Sequence, residues 1–151
     1  MDVKDVMLPD PISVYRRDHV REVMDLIRNH KIGQVPVIDE SGRLVGIITR
    51  RDLEPRNDGM PSRTADLRAE DVMTRDVVTI IPGADLCEAA ILLNHYGFRA
   101  LPVVVGDRVV GIISKNVVSE WMRELSGQDN RHTEPAMPVN NVSRDNPVAA
   151  A

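Results

Sequence analysis

An internal repeat constrains this chain more than any other feature. Three short strings each occur twice, in the same order. The two occurrences of the third string are one position closer together than those of the first two strings, so one turn has lost a residue. A repeat of this length indicates two copies of one supersecondary unit, which together fill most of the chain. The matched strings are Asp5-Val6-Met7 with Asp71-Val72-Met73, Val35-Pro36-Val37 with Leu101-Pro102-Val103, and Gly46-Ile47-Ile48-Thr49 with Gly111-Ile112-Ile113-Ser114.

The composition supports a core built from aliphatic side chains. Hydrophobic residues make up 42% of the 151 residues but aromatic residues only 3%, so Val, Ile, Leu, Met and Ala must fill the core. The net charge of −4 gives no general attraction to nucleic acid or anionic membranes, and no apolar run approaches the ~18 residues of a membrane span. A single cysteine excludes an internal disulfide and favours a reducing compartment. The composition therefore predicts a cytoplasmic protein that binds neither nucleic acid nor membrane.

Each copy is predicted to run strand, helix, strand, strand, helix. The first helix of each copy is predicted from apolar residues at i, i+3, i+4 and i+7, and the strands from β-branched runs that flank polar turns. The elements of the first copy are a strand at 12–15, a helix with the stripe Val20, Val23, Met24 and Ile27, strands at 35–39 and 44–48, and a short helix at 50–53. Those of the second copy are a strand at 77–80, a helix with the stripe Leu86, Ala89, Ala90 and Leu93, strands at 101–105 and 108–113, and a helix at 115–125.

The remaining segments differ in composition from the two copies. The stretch at 54–68 holds Pro55, Gly59 and Pro61, which is typical of a linker. From Ser126 onward the chain is rich in Gly, Asn, Pro, His and Ala, which predicts a polar tail with little order. The predicted organisation is a first unit at 1–53, a linker at 54–68, a second unit at 69–125 and a tail at 126–151.

The segment 46–52 is the strongest candidate for a functional motif. It begins with a glycine in an apolar strand, which often marks the close approach of another group to the backbone. Thr49 then occupies the N-cap position of a short helix, and Asp52 follows three residues later. A hydroxyl and a carboxylate beside the free N–H groups of a helix start can hold a polar ligand, but the same pair is also a variant of the capping box. On these residues alone, capping is the simpler interpretation.

The duplicated set of motifs resembles the cystathionine-β-synthase (CBS) domain family in its tandem form, the Bateman module. The features that carry the resemblance are the early proline of the middle strand and the Gly-Ile-Ile-Thr/Ser string, found twice and in register over roughly residues 3–125. The resemblance implies an α+β fold in which two pseudo-twofold-related β-α-β-β-α units pack through their sheets. It also implies pairing into a homodimer and two clefts that bind adenosine-type ligands.

The resemblance implies which residues would contact such a ligand. A Thr/Ser-x-x-Asp segment would hold the ribose, apolar residues near the first strand and before the proline would contact the adenine, and basic residues would meet phosphates. In the second copy Val117 stands where the first has Asp52, so the two clefts are expected to be unequal. The first cleft would use Thr49, Arg50, Arg51, Asp52, Val78, Thr79, Phe98 and Arg99, and the second would use Ser114, Lys115, Ile12, Ser13, Ile32 and Gln34.

Several of these residues also have a purely structural interpretation. Phe98 and Ile32 would equally suit the hydrophobic core, and Arg99 would suit a solvated surface. Cys87 lies beside an apolar helix stripe, so a buried and unreactive thiol is expected. The four histidines are scattered and show no metal-ligand spacing.

The function predicted from the sequence is that of a regulatory module and not of an enzyme. No nucleophile–base pair, metal cluster or glycine-rich phosphate loop is present, and no cofactor is expected. The expected ligand is AMP, ADP or ATP, because the basic choices at Arg50, Arg51, Arg99 and Lys115 favour a phosphorylated ligand. The alternatives are a dimerisation scaffold without a ligand and an S-adenosylmethionine sensor. A homodimer and an unidentified protein partner are expected, with the two apolar helix stripes offering more surface than one small core covers.

Overall fold

The computed structural model describes residues 1–54 and 66–129, with only the backbone for the last two. The fold is α+β, and in this part of the chain the elements alternate as two copies of one order. The elements are α1 Val3–Val6, β1 Leu8–Pro9, β2 Val14–Tyr15, α2 Val20–His30, β3 Gln34–Ile38, β4 Leu44–Thr49, a 3-10 turn at Arg50–Leu53, α3 Ala69–Val72, α4 Leu86–Tyr96, β5 Ala100–Val105, β6 Arg108–Ser114 and α5 Lys115–Asp129.

These elements belong to two compact units. The first-copy unit holds residues 10–78 with 106–109, and the second-copy unit holds 1–9, 79–105 and the residues from 110 onward. The short helix at the start of each copy, its lead-in, therefore belongs to the unit of the other copy. α3 lies in the first-copy unit and α1 lies in the second-copy unit.

The first-copy unit is a three-stranded sheet covered by α2. The strand order is β2-β3-β4, with β2 parallel to β3 and β3 antiparallel to β4. The stripe residues Val20, Val23 and Ile27 of α2 pack against the inward β-branched residues of the sheet. Because each strand alternates its side chains, one face of the hairpin enters the core, with Val35 and Ile48 fully buried opposite one another.

The exchanged α3 completes the core of the first-copy unit. Ala69 is fully buried, and its N–H donates to the carbonyl of Asp18 at 2.8 Å. Further along, Thr74 and Ile47 exchange two backbone hydrogen bonds of 2.9 and 3.0 Å, which lengthens the edge of the sheet beside β4.

The second-copy unit repeats these bonds at the matching positions of the repeat. Its sheet has the order β1-β6-β5, with Leu8 opposite Ile112. Val3 is fully buried and donates its N–H to Ala84 at 2.8 Å, as Ala69 does to Asp18 in the other unit. The long helix α5 packs against α4.

A methionine lies against the strand glycine of each unit. A Cβ built on Gly46 would overlap the side chain of Met73, and one built on Gly111 would overlap that of Met7. Each glycine is buried in its strand. The close approach that a strand glycine predicts is therefore made by the lead-in of the other copy.

Three predicted element boundaries are wrong. The strand expected at 12–15 is only Val14–Tyr15, and 77–80 forms no strand beyond a single parallel bridge from Ile80 to Val103. The prolines that flank both segments lack the N–H that a longer ladder needs. The helix expected to end at 125 runs to Asp129, since Ser126 and Gly127 weaken a formed helix by only about 0.5–1 kcal/mol each.

Two surface expectations are also wrong. The apolar stripes of α2 and α4 are mostly buried, so they leave no large free face for a partner. Cys87 is exposed on α4 and not buried.

The remaining linker residues 55–65 and tail residues 130–151 lie outside the described part of the chain. None of the helices in the described part has the length and apolar character that crossing a bilayer requires.

Candidate functional site

The turn at the end of β4 combines helix capping with an oriented carboxylate. Asp52 Oδ2 accepts a hydrogen bond from the Thr49 N–H at 2.8 Å and another from the Thr49 hydroxyl at 3.2 Å. Leu53 is buried in the core of the first-copy unit and anchors the other end of the turn. The capping interpretation of this pair is therefore confirmed.

Capping leaves the Asp52 carboxylate available to a ligand. The residue is half-buried, and within residues 1–54 and 66–129 its second oxygen, Oδ1, accepts no hydrogen bond. Because both bonds from Thr49 hold Oδ2, the plane of the carboxylate is fixed without a ligand. A fixed carboxylate oxygen can accept a charge-assisted hydrogen bond from a hydroxyl group.

The loop before β3 lies directly against this turn. The Arg50 N–H donates to the carbonyl of Gly33 at 3.3 Å, and Arg50 Nε donates to the carbonyl of Ile32 at 3.3 Å. Gln34 lies opposite Thr49 in the β3–β4 ladder. Predicted site residues from the turn and from the loop, which the sequence assigned to different clefts, are thus neighbours within the first-copy unit.

The matching turn of the second-copy unit keeps the cap and lacks the carboxylate. Ser114 Oγ accepts the N–H of Val117 at 3.3 Å, and the Lys115 N–H donates to the carbonyl of Arg99 at 2.7 Å. The side chain of Val117 is half-buried and has no polar atom. This turn can offer a hydroxyl and cations to a ligand but no charged acceptor.

Phe98 is exposed and stacks on a residue that the sequence did not indicate. Its ring lies 5.2 Å from that of Tyr96 with an interplanar angle of 7°, and His95 meets Tyr96 edge-on at 4.7 Å. Phe98 is 38% exposed, so its interpretation as a core residue is wrong. Tyr96 ends α4 and Gly97 reverses the chain in a left-handed conformation, which aligns the two rings. In the sequence, the string Tyr96-Gly97-Phe98 was the signal from which this stacked pair could have been predicted.

The other predicted contact residues differ in exposure. Ile32 is half-buried against the core of the first-copy unit, in agreement with its structural interpretation. Half-buried residues outside the strands are Ile12, Ser13, Val78 and Thr79. Ser13 donates its hydroxyl to the carbonyl of Pro11 at 3.3 Å. The distribution of the predicted residues between two clefts stays a prediction.

Exposed cations accompany both turns. Arg50 and Arg51 follow Thr49, while Arg99 and Lys115 lie beside Ser114. Within the described residues, the ion pairs involve other cations, chiefly Arg16 and Arg17 with Glu40. The backbone N–H of Glu40 itself, and then these two arginines, lower the pKa of its carboxyl. Exposed guanidinium groups without a described carboxylate partner are suited to anionic ligands.

Other chemistry is not indicated by the described residues. They contain no group of three or more His, Cys, Asp and Glu side chains that could hold a metal ion. Partial burial and the neighbouring Asp85 carboxylate raise the pKa of the Cys87 thiol, which disfavours the reactive thiolate. The expectation of an unreactive thiol therefore has support although the residue is exposed.

The fold and the repeated hydroxyl turn define a class of protein made of two copies of one small α+β unit. Residues 3–54 and 69–124 each match the model of one family, described as the CBS domain. The chain therefore belongs to the CBS domain family and holds a tandem pair of these domains.

Among curated proteins, the CBS domain-containing protein YhcV of Bacillus subtilis is 30% identical over 127 residues, which are 83% of this chain and 89% of YhcV. The chain spans only 22 to 38% of the length of the first curated relatives that it matches.

Two solved CBS pairs with bound ligands are similar in structure. CBSX2 of Arabidopsis thaliana in complex with AMP matches with a TM-score of 0.71 and 27% identity, over 82% of this chain and 97% of CBSX2. The CBS domain pair of protein MJ0100, in complex with 5′-methylthioadenosine and S-adenosyl-L-methionine, matches with a TM-score of 0.68 and 30% identity, over 85% of this chain and 98% of that pair.

Proposed function

We propose that this chain is a regulatory module that binds AMP, ADP or ATP and signals the state of that ligand to a protein partner. The observation that carries the proposal is the Asp52 carboxylate, which Thr49 orients through Oδ2 while Oδ1 has no described partner. Arg50 and Arg51 are exposed on the same turn. One short segment thus offers an acceptor for ribose hydroxyls and cations for phosphate.

The physical chemistry of the turn favours a nucleotide over an uncharged ligand. A carboxylate that accepts bonds from vicinal hydroxyls makes charge-assisted hydrogen bonds, which are stronger than neutral ones. The forked donors of arginine match the oxygens of a phosphate group. The Thr49 bonds already fix the carboxylate, so little conformational freedom is lost when the ligand binds.

The liganded relatives support the ligand class. CBSX2 is a CBS pair in complex with AMP, and MJ0100 supplies a second CBS pair with adenosyl ligands. S-adenosylmethionine is the second candidate, favoured by the 30% identity to MJ0100. The exposed cations Arg50, Arg51, Arg99 and Lys115 weigh against it, because the sulfonium group of that ligand is positive and carries no phosphate.

The groups present in the described residues support the proposed regulatory role. They offer an oriented acceptor and cations, and no group of three or more His, Cys, Asp and Glu side chains that could hold a metal ion. A ligand influences a partner only through its different affinities for two arrangements of the module. We therefore propose that the chain acts through a second copy of itself and through a protein partner, and that it catalyses no reaction of its own.

Thermal unfolding with a ligand panel tests the proposal. AMP, ADP, ATP and S-adenosylmethionine are each added at up to millimolar concentration to the full chain and to Asp52→Asn. A ligand at 100 times its Kd stabilises the folded state by about 2.7 kcal/mol, so the melting temperature rises by several degrees. We expect the rise with a phosphorylated ligand in the unmodified chain and a much smaller one in Asp52→Asn. Unchanged melting with all four ligands would support the scaffold alternative.

A further inference from the structure

Arg50 joins two segments of the first-copy unit that both contain predicted ligand contacts. Its backbone N–H bonds to Gly33, and its Nε bonds to the carbonyl of Ile32, each at 3.3 Å. Arg50 also lies between Thr49 and Asp52 in the turn that holds the oriented carboxylate. Because Nε donates its hydrogen bond to the loop, the two terminal guanidinium nitrogens can donate to an anion.

The loop that Arg50 holds begins at a strained residue. α2 ends at His30, and its C-cap residue Lys31 has φ 53° and ψ 41°, in the left-handed region that disfavours any residue with a Cβ. The chain then passes through Ile32 and Gly33 into β3. A residue in an unfavourable backbone conformation keeps that conformation only while the surrounding contacts hold it.

The second-copy unit lacks both features at the equivalent positions. Its helix α4 ends at Tyr96, and the C-cap residue Gly97, with φ 69°, adopts the left-handed conformation without a steric penalty. Lys115 occupies the position of Arg50 in that unit. Its backbone N–H donates to the carbonyl of Arg99, and within the described residues its side chain makes no hydrogen bond. Among the described residues, the strained loop and its side-chain contact occur together in the unit whose turn carries Asp52.

We propose that Arg50 is a positioning residue that transmits the state of the Thr49–Asp52 turn to the loop at 32–34. An anion that draws the guanidinium outward lengthens the bond from Nε to the Ile32 carbonyl, and the strained loop then shifts. The proposal rests on the proposed function for the nature of the ligand, and the link between turn and loop exists without one. The loop thus reports occupancy of the turn to whatever contacts residues 32–34.

A mutant cycle without ligand tests the link. Asp52→Asn changes the turn, and the ¹³C shift of the Ile32 carbonyl and the amide shift of Gly33 report the loop in full-length protein. We expect Asp52→Asn to move both signals in the unmodified chain, and to move them less than half as far in an Arg50→Lys background. Arg51→Lys is the matched control, because it makes the same exchange one residue away, and it should preserve the full response.

If Asp52→Asn moves the Ile32 and Gly33 signals equally far in the Arg50→Lys background, the proposal is overturned. The change in the turn would then reach the loop through the β3–β4 ladder alone, in which Thr49 faces Gln34. The absence of any loop response in the unmodified chain would overturn it as well. Dispersed amide spectra and an unchanged melting temperature establish that Arg50→Lys is folded.

Titration with AMP separates this inference from the proposed function. Saturating AMP should shift the amides of Thr49 and Asp52 in both the unmodified and the Arg50→Lys chains, and shift Gly33 fully only in the former. If none of AMP, ADP and ATP moves either segment of the unmodified chain, the proposed function fails, while the ligand-free cycle still decides the role of Arg50. A full shift of Gly33 with AMP in Arg50→Lys would contradict that role.

Discussion

Gly46 shows at the scale of one residue how the lead-in of the second copy fits the first-copy unit. Its Cα hydrogen faces the side chain of Met73, and a Cβ would overlap Met73 from its sulfur to its Cγ. Adding a methyl group to a packed interior costs about 1–3 kcal/mol, because side chains or backbone must shift. The sequence indicated the close approach and could not identify the group, since Met73 is 27 positions away.

Gly46→Ala should lower the free energy of unfolding by about 1–3 kcal/mol, measured by urea denaturation. Gly83→Ala is the matched control, because a Cβ there meets no atom within 4 Å, and its stability should change little. Met73→Ala combined with Gly46→Ala should lose less than the sum of the two single losses. An unaltered midpoint for Gly46→Ala would contradict the close packing.

Lys31 and Gly97 form a second natural pair, since both end a helix in the left-handed conformation. Lys31→Gly should raise the free energy of unfolding by roughly 1 kcal/mol or less, because it removes about 1–2 kcal/mol of strain and adds about 0.5–1 kcal/mol of chain entropy cost. The reverse change, Gly97→Lys, should destabilise by a similar amount. Thermal unfolding of both variants checks this, and a destabilised Lys31→Gly would argue against backbone strain at Lys31.

At the scale of elements, the turn between β3 and β4 is held by one carboxylate. Asp39 Oδ1 accepts the N–H groups of Arg43 at 2.9 Å and of Ser41 at 2.8 Å. The bond from the Arg43 backbone, with that from Ser41, holds the pKa of Asp39 below its ordinary value of 3.8. The folded state therefore binds the proton more weakly than the unfolded state, so the contribution to stability is present above pH 3.8 and is lost as the pH falls through the lowered pKa.

Asp39→Asn should remove this acid-dependent component. The difference in unfolding free energy between the unmodified chain and Asp39→Asn should stay constant above about pH 4 and shrink at lower pH. Denaturant titrations at pH 7, 4 and 3 measure it. A difference that grows below pH 4 would have the wrong sign for this account.

The elements also show which parts of the fold the sequence could predict. The stripe of α2 and the hairpins followed from local periodicity, because burial on one face imposes a regular spacing. The strands expected at 12–15 and 77–80 were too long because tertiary contacts near prolines set their ends. The bond between Arg50 and Ile32 joins residues 18 positions apart, and no local pattern encodes such a contact. Asp52 was identifiable because its capping partner is three residues away.

At the scale of the whole molecule, the helix stripes are mostly buried and cannot form the interface of the expected homodimer, so another exposed surface must form it. The second-copy unit exposes Tyr96 and Phe98 as a stacked pair at the end of α4, and Leu125 on α5, which packs against α4. Exposed aromatic side chains are enriched at protein interfaces. We propose that a second copy of this chain covers them.

Sedimentation at micromolar concentration should give twice the mass of a single chain. Tyr96→Ser combined with Leu125→Ser should shift the measured mass toward that of one chain, because it removes two of the exposed apolar side chains. Tyr15→Ser, which changes another exposed apolar residue in the first-copy unit, should leave the mass unaltered. The mass of a single chain for the unmodified protein would reject the dimer.

We expect the turn with Asp52 to bind an adenosine nucleotide more tightly than the turn with Val117 does. Loss of a hydrogen bond to a charged partner costs roughly 1.5–3 kcal/mol, or on the order of tenfold to a hundredfold in affinity. Isothermal calorimetry with AMP on the unmodified chain, Asp52→Ala and Val117→Ala measures the difference. We expect one dominant site per chain, which Asp52→Ala removes and Val117→Ala retains. Two equal sites per chain, or the same isotherm in Asp52→Ala, would contradict it.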